Sequence, residues 1–347
     1  MSSDPHNNSE LPTAFDSAIY RSANADLKRL SEADLANHYS TCGVVEGRVA
    51  SAITGRTDFI ALINRSERIL EIGPFANPAL RGPQVVYFDV LTTEQLKERA
   101  VVHSLDPDNC PAVDYVSPTG DLSIVPPGFG SVFSSHAIEH QPDLVRHLRE
   151  VADLLDVGRR YFLAVPDKRY CFDHFNPEST IADVIDAHVN KRVVHTAASH
   201  VRQAGMITHN DPARHWQGDH GEPEYRSDPK RLSAGVQRYV AARGSYVDVH
   251  AWQFTPKSFG EIIDSLHEIG LSDLRVARIY PGTYGSIEFF AVLEKGEPKT
   301  PVALDDLPAD FDEARYLLAN PDVARAGVDA VTHYLTFGRR EGRRIRL

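Results

Sequence analysis

Residues 68–78 read RILEIGPFANP. Ile69, Leu70 and Ile72 make a short apolar run that stops at Gly73-Pro74, the pattern of a buried parallel strand entering a tight turn. Open α/β sheets place their ligands beyond the carboxyl ends of such strands. Glu71 stands just before the glycine. A second apolar run, Val85-Val86-Tyr87-Phe88, ends in Asp89. A glycine turn after one strand and a carboxylate closing the next is the arrangement of a nucleotide-type cofactor site. The turn lets the backbone approach the ligand, and the carboxylate accepts hydrogen bonds from ribose hydroxyls. Phe75 and Asn77 occupy the places of the second and third glycines of a dinucleotide fingerprint, which argues against a pyrophosphate seated on a helix N-terminus. Taken alone, these residues also fit a plain strand-turn; the downstream order separates the two readings.

That order is an alternation of strand and helix. A helix through residues 59–63 precedes the first strand, and another covers 93–99, capped by Thr92 or Thr93. Residues 112–116 read as a short strand, followed by a turn at Pro118-Thr119-Gly120-Asp121-Leu122. Residues 130–134 (GSVFS) form the next strand and lead into Ser135-His136-Ala137-Ile138-Glu139-His140. Pro142 opens a helix with Leu144, Leu148, Val151 and Leu155 at helical spacing, Gly158 ends it, and 161–165 form a strand closing at Pro166. This is the doubly wound α/β pattern.

The series EIGP, FDV, GDL, FSSHAIEH, helix-glycine-strand-VP resembles the class I S-adenosylmethionine-dependent methyltransferases. The closing segments agree: FTPKSFGEIIDSLHEIGL (254–271), then LRVARIYP and SIEFFAVLEK, resemble that fold's last helix and two final strands, the last inserting antiparallel. The resemblance spans most of residues 57–297 and implies a Rossmann-like seven-stranded sheet with S-adenosylmethionine as methyl donor. Carried over, Glu71, Gly73 and Pro74 would meet the methionine end of the cofactor and Asp89 its ribose. Asp121 and Leu122 would lie beside the adenine, and Ser135 and His136 would close the site. Phe75 and Asn77 depart from the family's glycine turn.

Methyl transfer requires alignment of a nucleophile with the methyl group and, where needed, removal of its proton. His140 is the candidate general base, with Glu139 orienting it; the same SHxxEH segment also reads as a loop-stabilising element. His136, Glu139 and His140 resemble the Glu-x-x-Glu-His segment of metal-dependent O-methyltransferases, with His in the first place. Their i, i+3, i+4 spacing on a helix would place three ligands on one face, and a divalent ion there would lower the pKa of a substrate hydroxyl. The inverted zinc-peptidase motif HxxEH has the same letters, but here the segment follows a parallel strand in a nucleotide-binding pattern.

Residues 167–250 interrupt the pattern after the fifth strand. A helix through Ile181, Val184 and Ile185 is followed by a series of histidines, and 208–221 (THNDPARHWQGDHG) holds three of them and Trp216, one of two tryptophans. One reading is a substrate lid, with Asp173, His174, His209, His215 and Trp216 near an acceptor such as a sugar and a lid histidine as base. The other is a helical insertion packed over the sheet. Tyr170, Phe172, Trp216 and Trp252 would stack on a sugar face or fill the lid core.

The two ends resemble each other. FDSAIYRSANADLKRLSEADLANHYSTCGVVEGR (15–48) and FDEARYLLANPDVARAGVDAVTHYLTFGRREGR (311–343) share Phe-Asp, Tyr, Ala-Asn, Asp, His-Tyr, Gly and Glu-Gly-Arg in register with one gap. Each reads as two short helices, with His38 and His333 as packing residues. They resemble small helical repeats attached to bacterial surface and glycan-related proteins, which implies an accessory role, as a clasp on the central domain or a homodimer or protein contact. The expected organisation is a disordered tail at 1–13, one repeat at 14–50, the central domain at 57–297, a linker at 298–310 and the second repeat at 311–347.

The 347 residues hold a net charge of −11, which argues against broad nucleic-acid binding, and no apolar run reaches a membrane span. The basic run at 339–346 is the local exception, a solvated face or a contact for an acidic partner. Cys42, Cys110 and Cys171 are far apart without a CxxC pair, which fits a reducing, cytoplasmic compartment. The sequence therefore predicts a cytoplasmic methyltransferase acting on an oxygen of a small-molecule or glycan-type acceptor. Its rivals are a non-catalytic binding module on the same fold and a metal-dependent enzyme built on the histidine cluster.

Overall fold

The computed structural model describes residues 10–299, 307–308, 311–338 and 341–345. They divide into two compact units, a larger one holding the sheet and a smaller one holding the carboxy-terminal segment.

Seven strands form one sheet: β1 (Ile69–Ile72), β2 (Val85–Asp89), β3 (Tyr115–Val116), β4 (Phe129–Ser135), β5 (Leu155–Pro166), β6 (Leu274–Tyr280) and β7 (Glu288–Lys295). Their order is β3-β2-β1-β4-β5-β7-β6. β1 to β5 run parallel, and β7 lies antiparallel between β5 and β6. All four β1 residues are buried, as a strand flanked on both sides and covered on both faces requires. The chain order reverses at β1 and β4, so their carboxyl ends open the crevice where such sheets bind ligands. Phe59 stacks on Phe290 at 4.7 Å and meets Phe162 edge-on, placing the helix Arg56–Ile60 over the β5–β7 side.

Three local expectations change. Leu155 begins β5 and does not close the preceding helix, which ends at Leu154. β4 pairs Phe129 with Leu155 and Ser131 with Arg160, so the extra β5 residues, with Gly158 at φ 82°, bulge out of the ladder. The strand expected at 112–116 shrinks to Tyr115–Val116, which pair with Phe88 and Asp89; just before them the Asp114 side chain, in place of a backbone carbonyl, accepts from Tyr87 N at 2.8 Å. Within the expected disordered tail Leu11 is buried in the core, and Pro12 O accepts from the Tyr280 hydroxyl at 2.8 Å. Residues 1–9, most of the linker at 298–310, and Arg339, Arg340 and Arg346 of the basic run lie outside the described residues.

The two terminal segments make the same internal contacts. The Tyr20 hydroxyl lies 2.8 Å from His38 Nδ1, and Tyr316 lies 2.9 Å from His333 Nδ1. Asn24 donates to Tyr20 O and Val49 O, and Asn320 to Tyr316 O and Arg344 O. Arg48 pairs with Asp26 and Glu46, and Arg343 with Asp322 and Glu341. Both place a glycine, Gly43 or Gly338, where any Cβ would strike the tyrosine hydroxyl at 2.2 Å. Each segment thus closes around one tyrosine.

Candidate active site

A cleft enclosing about 860 Å³, including its open mouth, lies at the carboxyl ends of β1, β2 and β4. Gly73, Phe75, Phe88, Asp89, Leu96 and Leu122 form one side of it. His136, His140, Gln141, His147, Tyr246 and Asp248 line it further along. Gly73 has φ 71°, a left-handed conformation that glycine adopts freely. Phe75 follows at φ 44°, rare for an aromatic residue, and its ring packs with Leu96 and Ala100 under the Arg99 guanidinium, 5.4 Å away. An aromatic wall therefore stands where a second glycine would leave backbone exposed.

Asp89 closes β2 with its carboxylate almost fully buried; Oδ1 accepts from Leu91 N at 2.9 Å. Burial raises its pKa to about 6, against the pull of the Leu91 and Val90 backbone N–H groups. A buried acceptor beside an apolar wall of Phe75, Phe88, Leu96 and Leu122 suits a ribose carrying a flat heterocycle. By this observation the cleft fits S-adenosylmethionine.

Other expected cofactor contacts lie off the cleft. Glu71 Oε1 and Oε2 accept from Ala79 N (2.7 Å) and Leu80 N (2.9 Å), so this buried carboxylate holds the 73–80 turn and is turned away from a ligand. Burial raises its pKa to about 7. Pro74 and Ser135 are outside the lining, and Asp121 spends its carboxylate on Ser123 N at 2.9 Å. Gly73, Asp89, Leu122, His136 and His140 do line the cleft.

The SHxxEH segment is not one helix face. His136 leaves β4 at φ 50°, and Ile138–His140 form a single 3-10 turn. His136 Nε2 therefore points to Glu288, 2.8 Å away, which also binds Arg56. Burial opposes ionisation of Glu288, but His136 and Arg56 outweigh it and hold its pKa at about 2. The expected triad of His136, Glu139 and His140 is thus corrected: His250 takes the place of His136 beside the other two.

The end of the insertion delivers His250. Ala251 N and Trp252 N both donate to Glu139 O (2.7 and 3.1 Å), and Trp252 Nε1 donates to Gln141 O at 2.7 Å. This docking places His140 Nδ1 2.9 Å from Asp248 Oδ1, and Arg99 pairs with the same carboxylate. Burial disfavours the charged His140 ring, yet Asp248 and Glu139 outweigh it and raise its pKa. His140 and Arg99 likewise hold Asp248 well below the usual carboxylate range against its burial. His250 Nδ1 lies 2.5 Å from Asp173 Oδ2. Glu139 is fully buried, and neither carboxylate oxygen has a hydrogen-bond partner; Oε1 lies 3.7 Å from His140 Nε2 and 3.9 Å from His250 Nε2.

His174, His209 and His215, the expected lid residues, gather away from the cleft lining. Their rings stack on one another and on His220, and Trp216 stacks on Tyr170 at 3.7 Å. As cleft bases they are corrected: the rings face each other and backbone carbonyls. Sequence reasoning missed Asp248, Tyr246, Arg99 and His147. They carry no motif, and only folding of the insertion brings 246–248 to the cleft; the alternating YVDVH at 246–250 was the one available signal.

No protein-family model matches the chain, and no curated protein matches it in sequence. Solved structures do. An S-adenosylmethionine-dependent methyltransferase from Mesorhizobium loti is 18% identical, with 33% of this chain and 55% of that one covered and a TM-score of 0.23. The chain thus spans about half the length of that protein. The CcbJ methyltransferase from Streptomyces caelestis is 11% identical, covering 69% and 92%, with a TM-score of 0.36. A possible histamine N-methyltransferase from Thermotoga maritima is 10% identical, covering 76% and 95%, with a TM-score of 0.35. The strand order itself defines the architecture. The fold is a doubly wound, Rossmann-like seven-stranded sheet. Among the described residues no helix is long and apolar enough to cross a membrane.

Proposed function

We propose that the chain is an S-adenosylmethionine-dependent methyltransferase acting on an oxygen of a small-molecule or glycan-type acceptor, with His140 as proton acceptor. The observation that carries this reading is the Asp248–His140 pair on the wall of a cleft that begins at Gly73 and Asp89. Asp89 would accept from the ribose hydroxyls, and the Phe75, Phe88 and Leu122 side chains would flank the adenine. When bound, the cofactor supplies an electrophilic methyl group. Asp248 would keep the proton on Nδ1, its carboxylate facing that N–H at 2.9 Å, leaving Nε2 to receive a proton from the acceptor, and it would stabilise the imidazolium that results. Tyr246 and Gln141 complete the wall and restrict water. The net charge of −11 favours a small acceptor over nucleic acid. Segments 14–50 and 311–347 would serve as accessory contact modules, and the cytoplasm as its compartment.

A second reading rests on the Glu139 carboxylate, whose two buried, unpartnered oxygens are costly unless something completes them. Glu139, His140 Nε2 and His250 Nε2 would then hold a divalent ion that lowers the pKa of the acceptor hydroxyl. Calorimetry of S-adenosylmethionine and S-adenosylhomocysteine with the purified protein tests the shared premise. Micromolar binding supports it, and absence of binding, with and without metal, overturns it in favour of a binding module on this fold. Loss of one equivalent of bound metal in Glu139→Gln then favours the second reading, and metal content unchanged by that substitution favours the first.

A further inference from the structure

His174, His215 and His220 meet away from the cleft lining. His174 follows β5, His215 lies in the short helix Pro212–Trp216, and His220 follows that helix. One ring nitrogen from each of these three lies within 4.8 Å of the other two. His215 is 1% exposed, and the other two are half-buried.

Their hydrogen bonds determine which nitrogen is free. His174 Nδ1 lies 2.8 Å from Arg169 O, and a carbonyl only accepts, so Nδ1 carries the proton and Nε2 a lone pair. His215 Nε2 lies 3.1 Å from His209 O, so its lone pair is on Nδ1. His220 Nδ1 lies 3.0 Å from that atom and donates to it, so a metal bound between them would displace the one proton the two rings share. Two imidazole nitrogens on one tetrahedral zinc, each at about 2.0–2.1 Å, are about 3.3 Å apart. A neutral ring whose second N–H rests on a carbonyl is the orientation that metal-ligating histidines adopt. The charges around them are engaged elsewhere. Asp219 pairs with Arg214, and Lys168 Nζ donates to His174 O at 2.9 Å.

We propose that His174, His215 and His220 form a zinc-type divalent metal site, separate from the cleft, that ties the 208–221 loop to the segment following β5. Three neutral nitrogen donors without a carboxylate select zinc, cobalt, nickel or copper over magnesium and calcium. His174 and His220 stack face to face at 3.7 Å, so one ring must turn on loading. His220 has that freedom, lying between Gly218 (φ 82°) and Gly221 (φ 63°). The ion would also steady Asp173, the neighbour of His174 and the partner of His250. Nothing in this site depends on the methyltransferase reading.

The test is titration of chelator-stripped protein with Co²⁺ and Zn²⁺, following cobalt d–d absorption and the thermal midpoint, in wild type, His220→Ala, His174→Ala and His250→Ala. His220 is half-buried, so its truncation leaves the fold standing. One equivalent of metal, retained by His250→Ala and weakened about a hundredfold by His220→Ala and by His174→Ala, is the expected result. A zinc-induced rise in midpoint that His220→Ala abolishes is its counterpart. Absence of binding in wild type, or binding lost in His250→Ala but kept in His220→Ala, overturns the proposal; the second outcome assigns the ion to Glu139, His140 and His250.

Discussion

Protonation of Asp89 should set the pH dependence of cofactor binding. Burial holds this carboxyl near a pKa of about 6, roughly two units above its ordinary value. Ribose hydroxyls donate to the ionised form, so below pH 6 the ligand must displace a proton. The apparent Kd then grows by the factor 1 + 10^(6−pH), and affinity at pH 5 is about tenfold weaker than at pH 8, about 1.4 kcal/mol. Asp89→Asn keeps a carbonyl oxygen for Leu91 N but turns an amide donor toward the ribose. Losing charge-assisted hydrogen bonds costs about 1.5–3 kcal/mol, so the variant should bind roughly 10- to 150-fold more weakly and lose the Asp89 component of the pH response. Calorimetry with S-adenosylhomocysteine from pH 5 to 8, on both proteins, reads both effects. Every other ionisable group of the cleft is common to both proteins, so the difference isolates Asp89. Identical pH profiles, or an Asn variant that binds as tightly as wild type, would refute the reasoning.

Further outcomes follow from other contacts of the structure. Glu71→Gln puts an amide donor against Ala79 N or Leu80 N and should cost about 1–3 kcal/mol, read as a lower thermal midpoint. Because the folded pKa of Glu71, about 7, lies above its unfolded value, its contribution to stability falls as pH rises through 4.5–7, a slope that Glu71→Gln should remove. Asp248→Asn removes the carboxylate that orients and charges His140, so methyl transfer should slow by about 10²–10⁴-fold if His140 is the base, with S-adenosylhomocysteine affinity little changed. Tyr20→Phe and Tyr316→Phe each delete one hydrogen bond to a histidine and should each lower stability by about 1 kcal/mol, measured by denaturant unfolding.

The alternation of apolar strands and amphipathic helices was legible because burial imposes its period on neighbouring residues. The buried strand at Ile69–Ile72, the turn at Gly73 and the carboxylate at Asp89 follow from such local chemistry, and all three positions end where they were expected. Leu155 was misread because its helical spacing and its strand pairing are equally local, and only the Phe129 ladder decides between them. Glu71 was misread because a carboxylate before a glycine turn suits a ligand or a backbone N–H equally well. The spacing of His136, Glu139 and His140 promised one helix face, but the left-handed residue at 136 ends any helix there and sends the ring to Glu288. Asp248 and His250, more than a hundred residues from His140, meet it only because Ala251 and Trp252 dock on the Glu139 carbonyl. By itself, then, the amino-acid sequence determined the strands, the turn and the acidic end of β2, since these depend on residues within a few places of one another. The tertiary structure alone decided which carboxylates face the cleft and which histidines meet, because those choices are made by hydrogen bonds that close long loops of chain.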